Sequence, residues 1–417
     1  MARVLTTKDA YQIINLLVRE ATGQDATIQA VNPSTFVSVG ETVLATGVEN
    51  TLNALSMVLG RTFMAVRPYN AKFGVLNSID SGLYANRLRK ISFYAREAVV
   101  DGASNTDLKT NFADGYDNGT NSNASAASMW EQNQPMPLEM NFGGSSEWQT
   151  VTTVYEKQLQ VAFRSPEDFA QFVNGNMTEK GNDIESEKEA FNRMTLLNAM
   201  AGVYDLSASM PGSAINLTAA YNTYFGTSKL TADLLTTDLE SFLQFFTSEI
   251  KTISDRMTNR SAKYHWPVTK TVGGVTYSVL RHTPRDRQKL MIYKPFWYKA
   301  EAIVKSAIFN PQYLDINNFE GVDFWQNEND SSAISVTPAI PDVTLANGTQ
   351  TAGTAVTLDY VLGFMFDEDA LMVDYQFDSA TTTPLEARKH YRNMWWTMRK
   401  NAICDFTENM ILLYMAD

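Results

Sequence analysis

The rest of the chain is organised around the stretch from Ser165 to Tyr204, which reads SPEDFAQFVNGNMTEKGNDIESEKEAFNRMTLLNAMAGVY. Ser165, Pro166 and the two acidic residues after them are typical of a helix start, where negative charge meets the positive end of the helix dipole. Apolar side chains then recur at helical spacing on one face. This face carries Phe169, Phe172, Val173, Met177, Ile184, Phe191 and Asn198, widened by Met194, Leu197 and Ala201.

Two glycines, Gly175 and Gly181, weaken the middle of this stretch, because glycine disfavours the helix interior. The apolar face keeps its phase across both glycines, which favours one helix over two. At 1.5 Å per residue such a helix is roughly 60 Å long. It is too long for the core of one compact domain, so we predict a spine that carries other parts of the chain. The alternative is two amphipathic helices joined by a glycine turn.

The bulk composition indicates a globular chain of two or three domains, with 417 residues of which 44% are hydrophobic. A net charge of −12 argues against a nucleic-acid coat or a binder of anionic membranes, since both need a basic surface. The single cysteine, Cys404, excludes an internal disulfide framework and a cysteine-rich zinc site. No apolar stretch reaches transmembrane length, and the first ten residues lack the apolar run of a signal peptide. Folding in a reducing cytoplasm fits these features.

Residues 85–142 predict a long two-stranded ribbon. The first strand, 88–100, alternates apolar and polar residues. Residues 101–128 are dominated by small polar side chains and contain a turn pair, and 129–140 predict the return strand. An isolated ribbon is marginally stable in water, so we expect this one to lie on a neighbouring subunit. A hairpin with a disordered surface loop is the alternative. On the first strand Ile91, Phe93 and Ala95 alternate against Ser92, Tyr94 and Arg96.

The rest of the chain predicts mixed helices and strands without an internal repeat. Helices are predicted at 6–21, 48–59, 239–257 and 295–307, and residues 35–44 are ambiguous. Strands are predicted at 61–66, 148–163, 290–293, 357–366, 371–376, 391–398 and 403–415, with a hairpin at 263–280 about Gly273-Gly274. Residues 205–226 are predicted to be a loop, and 328–354 an inserted loop or hairpin.

The sequence contains no recognisable catalytic or ligand-binding motif. It lacks a P-loop and a dinucleotide fingerprint, and its histidines, His265, His282 and His390, lack metal-ligand spacing. The acidic triplet 367–369 predicts a solvated turn rather than a calcium site. Cys404 predicts a buried thiol rather than a nucleophile. We therefore predict no catalytic residue, no cofactor and no metal ion.

Candidate contacts with other subunits come from three parts of the chain. The helix at 6–21 has a narrow apolar stripe that needs a surface, and nothing nearby in sequence offers an obvious one. The ribbon strands carry large and charged side chains. The basic run at 281–289 is either a solvated face or an electrostatic contact with an acidic neighbour. The candidates are Ile13, Ile14, Leu17, Arg89, Tyr94, Arg96, Trp130, Arg285 and Arg287.

Three stretches resemble the major capsid proteins of tailed bacteriophages, which have the Hong Kong 97 fold. The first is TFVSVGET at 35–42, continuing to RPYN at 67–70. The second is the passage from Pro137 to Tyr204. The third is LGFMFDEDA at 362–370, followed by Thr383-Pro384 and by DFTEN at 405–409. Their order and spacing carry the resemblance more than any one motif does.

The resemblance implies an α+β, Hong Kong 97-like fold with four parts. They are an N-terminal arm (1–60), a peripheral domain with the spine helix (61–84, 143–205 and 385–417), an extended β-ribbon loop (85–142) and an axial domain (206–384) with an insertion near 328–354. It also implies a structural protein, not an enzyme, that self-assembles into the icosahedral head shell around packaged double-stranded DNA.

The implied partners are other copies of the chain, in pentamers and hexamers, together with a portal. A separate scaffolding protein is expected, because the chain begins at once with a short helix. DNA is expected to contact the acidic wall only by non-specific proximity, and no membrane partner is expected. The expected location is the virion capsid, assembled in the bacterial host cytoplasm.

Other readings of the sequence stay open. An encapsulin-like compartment shell would share the fold, although such chains are typically shorter. Another virion structural protein, such as a tail tube, would not need the long helix. A hydrolase or sugar-binding protein would need a polar cleft, which the sequence does not locate.

Overall fold

The computed structural model describes residues 7–22, 29–45, 76–78, 88–95, 136–142, 146–155, 158, 165–272, 275–303, 318–341 and 350–417. The predicted helix at 48–59, the predicted strand at 61–66 and the ribbon tip at 101–128 lie outside these ranges. The chain divides into two compact units. The first unit is Met1–Gly74, Ser145–Phe191 and Asp374–Asn401, and the second unit is Val75–Gly144, Asn192–Val373 and Ala402–Asp417.

Helices and strands are mixed throughout the described residues, so the predicted α+β class is confirmed. The helices are α1 (Thr7–Thr22), α2 (Pro33–Ala45), α3 (Pro166–Asp205), α4 (Leu217–Phe225), α5 (Thr231–Leu234), α6 (Leu239–Met257) and α7 (Lys294–Ile303). The first strands are β1 (Asn77–Ser78), β2 (Leu88–Phe93), β3 (Pro137–Phe142), β4 (Ser146–Tyr155), β5 (Ala214–Asn216), β6 (Thr269–Val272), β7 (Val275–Ser278) and β8 (Gln288–Tyr293). The later strands are β9 (Asn318–Val322), β10 (Ile334–Val336), β11 (Ala339–Pro341), β12 (Gln350–Ala352), β13 (Val356–Leu358), β14 (Tyr360–Asp367), β15 (Leu371–Thr382), β16 (Tyr391–Cys404) and β17 (Met410–Met415).

The spine helix α3 is continuous, so the prediction of one helix rather than two is confirmed. No other atom lies within van der Waals contact of the place where a side chain would stand at Gly175 or Gly181. The two glycines therefore lower helix propensity by about 1 kcal/mol each without permitting a close contact. Tertiary packing of the apolar face outweighs this local cost.

Among the side chains of α3 that the structure describes, which exclude Phe169, Phe172, Val173 and Met177, the buried face differs from its prediction at Met194. Phe191 and Leu197 are buried as predicted, but Met194 is 55% exposed. The buried face of this part of the helix runs through Ile184, Phe191 and Thr195, and Met194 lies beside it on the solvent side. Apolar spacing alone placed Met194 within the face, because methionine is apolar whether or not it is covered.

In the first unit, α1 packs against α2. Ile14 and Leu17 are fully buried, and the ring of Tyr11 lies 6.0 Å from that of Phe36. The Asn15 side chain accepts a hydrogen bond from the Ala30 backbone N–H at 2.8 Å. The expectation that nothing nearby in sequence covers the stripe is wrong. Helix α2 covers the stripe. It contains the stretch 35–44, whose β-branched residues left its secondary structure ambiguous in the sequence.

The sheet of the first unit pairs β4 antiparallel with β16, from Ser146 opposite Lys400 to Tyr155 opposite Tyr391. The ring of Phe191 meets that of Tyr375, in β15, edge-on at 5.9 Å. The Lys400 ammonium lies 4.8 Å from the centre of the Phe191 ring. Phe191 thus lies against this sheet, as predicted from the phase of the helix.

The core of the second unit is a five-stranded sheet in the order β5-β17-β14-β8-β9. Both β14 and β17 are buried along nearly their whole length. Helices α6 and α7 pack together through Phe242, Phe246 and Phe296, whose rings lie 5.6–6.3 Å apart. The predicted bounds of α6 are confirmed. Cys404 is a buried thiol, as predicted, and burial raises its pKa.

Two predictions for the second unit are wrong. Residues 205–226 contain β5 and α4 rather than only a loop. The Asn216 side chain caps α4, and Gly226 ends it with a φ of 64°. This helix is too short to show a clear period among turn-forming residues. The predicted last strand, 403–415, is broken, because residues Asp405–Asn409 form a turn before β17.

The predicted strands at the base of the ribbon are confirmed, since β2 pairs antiparallel with β3 from Leu88 opposite Phe142 to Phe93 opposite Pro137. Their orientation is unexpected. Ile91 and Phe93 are 63% and 58% exposed, whereas Ser92 and Tyr94 are buried. Tyr94 joins a core cluster beside the ribbon base. The cluster consists of Tyr94, Leu138, Met140, Phe142, Val279 and Ile403.

Candidate functional site: the C-terminal turn at the foot of the ribbon

We call strands β2 and β3 the ribbon foot, and residues Asp405–Asn409 the C-terminal turn. Every residue of the C-terminal turn is buried. The turn holds its own shape, because Asp405 Oδ1 accepts hydrogen bonds from the Thr407 N–H at 2.9 Å and the Thr407 hydroxyl at 2.6 Å. An aspartate that caps the backbone two residues later is a common turn device.

A buried charge network joins the ribbon foot to the C-terminal turn. The Lys90 ammonium, on β2, donates to Asp405 Oδ2 at 2.7 Å and to Glu408 Oε1 at 2.6 Å. Arg281 Nη2 lies 3.2 Å from the same Glu408 oxygen. Two cations therefore balance two carboxylates. Such a cluster is stable only while complete, since removing one member leaves a buried charge unpaired.

Arg281 and Thr407 extend the network to both strands of the ribbon foot. Arg281 Nη1 donates to the Ser92 hydroxyl at 2.8 Å, and Arg281 Nε donates to the Thr407 carbonyl oxygen at 3.0 Å. The Thr407 hydroxyl lies 3.3 Å from the sulfur of Met140, in β3. These contacts explain the unexpected orientation of β2. Lys90 and Ser92 point inward because their polar partners lie there, and Ile91 and Phe93 are left outside.

The C-terminal turn also contacts the spine helix and the segment before β6. The Trp266 N–H donates to the Phe406 carbonyl oxygen at 2.6 Å. Directly after the turn, the N–H of Met410, in β17, donates to the Tyr264 carbonyl oxygen at 2.9 Å. A Cβ atom at Gly202 of α3 would overlap the ring of Phe406, so glycine permits this close approach. The turn is a junction at which the ribbon foot, the spine helix and the central sheet of the second unit meet.

The electrostatics of the network are set by burial and by the paired charges. Burial opposes ionisation of Asp405, but the charge and hydrogen bond of Lys90 outweigh it and lower the Asp405 pKa. Burial raises the pKa of Glu408 despite Lys90 and Arg281. Burial would lower the pKa of Lys90, but Asp405 and Glu408 raise it. Glu408 is thus the carboxylate least favoured as an anion.

A buried histidine lies close to the network. His265 is fully buried, and burial lowers its pKa, aided by the charge of Arg281. Its Nδ1 lies 3.0 Å from the Trp266 carbonyl oxygen and its Nε2 lies 3.1 Å from the Ser261 carbonyl oxygen. A neutral ring can donate to only one of these oxygens. The two carbonyl contacts favour the protonated imidazole, but the effect of burial is larger and lowers the His265 pKa.

The basic run at 281–289 contacts acidic residues of the same chain. Arg287 pairs with Asp369 at 2.8 Å, Lys289 lies 3.9 Å from Glu368, and Arg285 pairs with Asp255. The acidic triplet is therefore not simply a solvated turn, and its Asp367 is buried. Among the described residues no group of acidic, histidine and cysteine side chains could hold a metal ion.

The nine predicted contact residues are scattered. Ile13 lies in α1, and Arg96 and Trp130 lie outside the described residues. Arg89 forms an exposed ion pair with Glu139 at 3.0 Å. For all nine residues, a role in contacts between subunits stays a prediction. Buried within the chain are Ile14, Leu17 and Tyr94, whereas Arg285 and Arg287 are partly exposed and paired as above.

Sequence reasoning missed the network itself. Lys90, Arg281 and the pair Asp405 and Glu408 come from three distant parts of the sequence, and no local pattern joins the three parts. One signal was present, since DFTEN at 405–409 was among the motifs that carry the family resemblance. A second signal was Lys90. Two residues before Ser92, it lies on the same, polar face of the strand.

The sequence matches the profile of the family described as "Phi29-like phage major capsid protein" over residues 106–414. This match covers most of the chain, which therefore belongs to that family. The protein is a structural component of the phage head shell, as predicted. The α+β class that accompanies the Hong Kong 97-type resemblance is also confirmed. The boundaries of the arm, loop, peripheral and axial parts stay predictions.

Similar chains occur in solved phage structures. One is described as the capsid structure of Staphylococcus phage Andhra, at 12% identity and a TM-score of 0.49, covering 84% of this chain and 86% of that chain. Another comes from the structure of head fiber and inner core protein gp22 of native bacteriophage P68, at 12% identity and a TM-score of 0.46, covering 84% and 85%. A third is the capsid of cyanophage P-SCSP1u, at 10% identity and a TM-score of 0.38, covering 84% and 89%. No match was found among curated proteins.

Proposed function

We propose that copies of this chain assemble as pentamers and hexamers into an icosahedral head shell around packaged double-stranded DNA, without catalysing a reaction. The network at the ribbon foot is the observation that carries this proposal. Two cations and two carboxylates fix β2 to the core of the second unit, and β3 is held by its pairing with β2. A firmly anchored base suits an extended element that reaches a neighbouring subunit.

The outer face of the ribbon foot supports the same role. Ile91 and Phe93 expose most of their apolar surface. Full burial of such a side chain contributes about 1.5–3 kcal/mol, so a neighbour covering both would gain a useful part of its contact energy here. The exposed Arg89–Glu139 ion pair lies on the same strands and adds polar contacts at the rim.

The charge distribution supports DNA contact by proximity rather than by recognition. The chain carries a net charge of −12, and the basic run at 281–289 is paired with acidic side chains. A duplex needs unpaired basic side chains to hold its phosphates. None of the described helices is long and apolar enough to cross a membrane. The portal, the scaffolding protein and assembly in the host cytoplasm rest on the family resemblance.

Electron microscopy of the purified chain tests the assembly. Closed shells are expected, whereas tubes or single particles would contradict the shell proposal. An encapsulin-like role predicts closed shells that carry an enzyme and no DNA.

Limited proteolysis tests the contact made by the ribbon. Cleavage between residues 101 and 128 should fall on assembly, and equal cleavage in free subunits and shells would contradict the contact.

A further inference from the structure

The end of α4 and the turn after it form an exposed aromatic surface. Tyr224 is 73% exposed, Phe225 is 48% exposed, and Leu230 is 54% exposed. The rings of Tyr224 and Phe225 lie 4.8 Å apart and edge-on. We call residues 223–228 together with Leu230 the α4 patch. Contiguous apolar surface of this kind on a folded chain usually marks an interaction site.

The α4 patch is held rigidly. The Asn222 side chain donates to the Lys229 carbonyl oxygen at 2.8 Å and accepts from the Lys229 N–H at 2.8 Å and the Thr227 hydroxyl at 2.9 Å. Phe245 of α6 supports the patch from below, with its ring 5.8 Å from that of Tyr224. A preformed surface loses little conformational freedom on binding.

The α4 patch carries no charge in a strongly acidic chain. Residues 223–228 read TYFGTS, and all of them are exposed. Ser241 and Ser248, one turn before and after Phe245, are exposed and uncharged as well. Lys229, within the same turn, is paired with Asp238 at 2.9 Å. Carboxylates lie at the edge of the patch, where the Leu230 N–H donates to Asp233 Oδ2 at 3.3 Å. An uncharged aromatic centre with charged residues at its edge is typical of a protein interface.

We propose that the α4 patch is covered by a second copy of this chain in the assembled shell. Each copy carries a net charge of −12, so two copies repel unless their contact surfaces are free of like charge. The α4 patch meets that requirement. An anionic partner such as DNA or a lipid surface would gain no electrostatic attraction from it. This inference rests on the self-assembly proposed above and adds a specific contact surface to it.

Tyr224→Ser tests the contact. Truncating an aromatic residue at an interface centre should raise the subunit concentration needed for shell formation on the order of tenfold. The melting temperature of the free subunit should fall only slightly, because the side chain is 73% exposed and loses only its ring contacts with Phe225 and Phe245. Tyr298→Ser is the matched control, since Tyr298 is 57% exposed and stands next to a lysine outside the patch. Light scattering over a concentration series measures both.

Ser228→Glu tests the charge requirement without removing an aromatic ring. The new carboxylate should hinder assembly at low salt, and salt should restore part of the loss by screening. Ser186→Glu is the control, because Ser186 is exposed and already stands between two glutamates. If both Tyr224→Ser and Ser228→Glu form shells at the same subunit concentration as the wild-type chain, the interface inference is wrong and the shell proposal is unaffected. Failure of the wild-type chain to form shells would overturn the shell proposal and this inference with it.

Discussion

At the scale of single residues, the network at the ribbon foot is stable only while all of its charged side chains are present. Lys90 is the member that touches both Asp405 and Glu408, and its ammonium is mostly buried. The neighbouring Arg89 also pairs with a glutamate, but both side chains of that pair are well exposed. The two positions therefore provide the same kind of interaction in two different environments.

Lys90→Met should destabilise the free subunit by about 3–5 kcal/mol, because two buried carboxylates would then share only Arg281. Arg89→Met should cost under about 1 kcal/mol, since it breaks an exposed pair. Urea denaturation of both variants measures the difference. Adding Glu408→Gln to Lys90→Met should recover part of the loss. Equal effects at the two positions would show that the network does not anchor the ribbon.

His265 predicts a fall in stability on mild acidification. Burial holds its folded pKa below the ordinary value of 6.5. Below pH 6.5 the unfolded chain binds a proton that the folded chain resists, so stability falls until the folded pKa is reached. NMR titration should give His265 a midpoint below 6.5. A midpoint at or above 6.5 would mean that the two carbonyl contacts outweigh burial.

At the scale of elements, the spine helix is stabilised by its contact with the sheet of the first unit. Phe191→Ala should cost about 3–5 kcal/mol, because the ring is buried against Tyr375. Met194→Ala, one turn later on the exposed side, should change stability by less than about 0.5 kcal/mol. Thermal unfolding of the two variants measures this. A larger effect at Met194 would reverse the assignment of the buried face.

The helix pair α1–α2 offers a second matched comparison. Leu17 is fully buried, whereas the adjacent Leu16 is 50% exposed. Leu17→Ala should cost about 2–5 kcal/mol of stability in the free subunit, and Leu16→Ala should cost little. Hydrogen exchange of α2 gives the readout, since loss of α1 packing uncovers Phe36. Protection of α2 that is unchanged by Leu17→Ala would show that the two helices do not stabilise each other.

At the scale of the whole molecule, the net negative charge opposes assembly of like subunits. Each subunit carries a net charge of −12, and screening shortens the reach of that repulsion to about 8 Å at physiological ionic strength. Raising the salt concentration should therefore lower the subunit concentration at which shells form. Light scattering at several salt concentrations tests this. Assembly that weakens with salt would mean that attractive ion pairs between subunits dominate instead.

Features that depend on local repetition of residue types could be predicted from the sequence. The single spine helix, the bounds of α6, the base strands of the ribbon and the buried Cys404 follow from periodicity and composition, because each depends on residues close together in the chain. The family could also be recognised, since its motifs occur in order along the sequence. Short elements such as α4 escaped prediction because two turns carry too little periodic signal.

Which polar residues are buried and which apolar residues are exposed depends on contacts between residues distant in sequence. Lys90 meets Asp405 across 315 positions of sequence, and that meeting turns Ile91 and Phe93 outward. Alternation along a strand defines two faces but does not say which one is covered. The covered face is set by partner residues elsewhere in the chain. Their effect on the strand can be recognised only once the fold has brought them next to it.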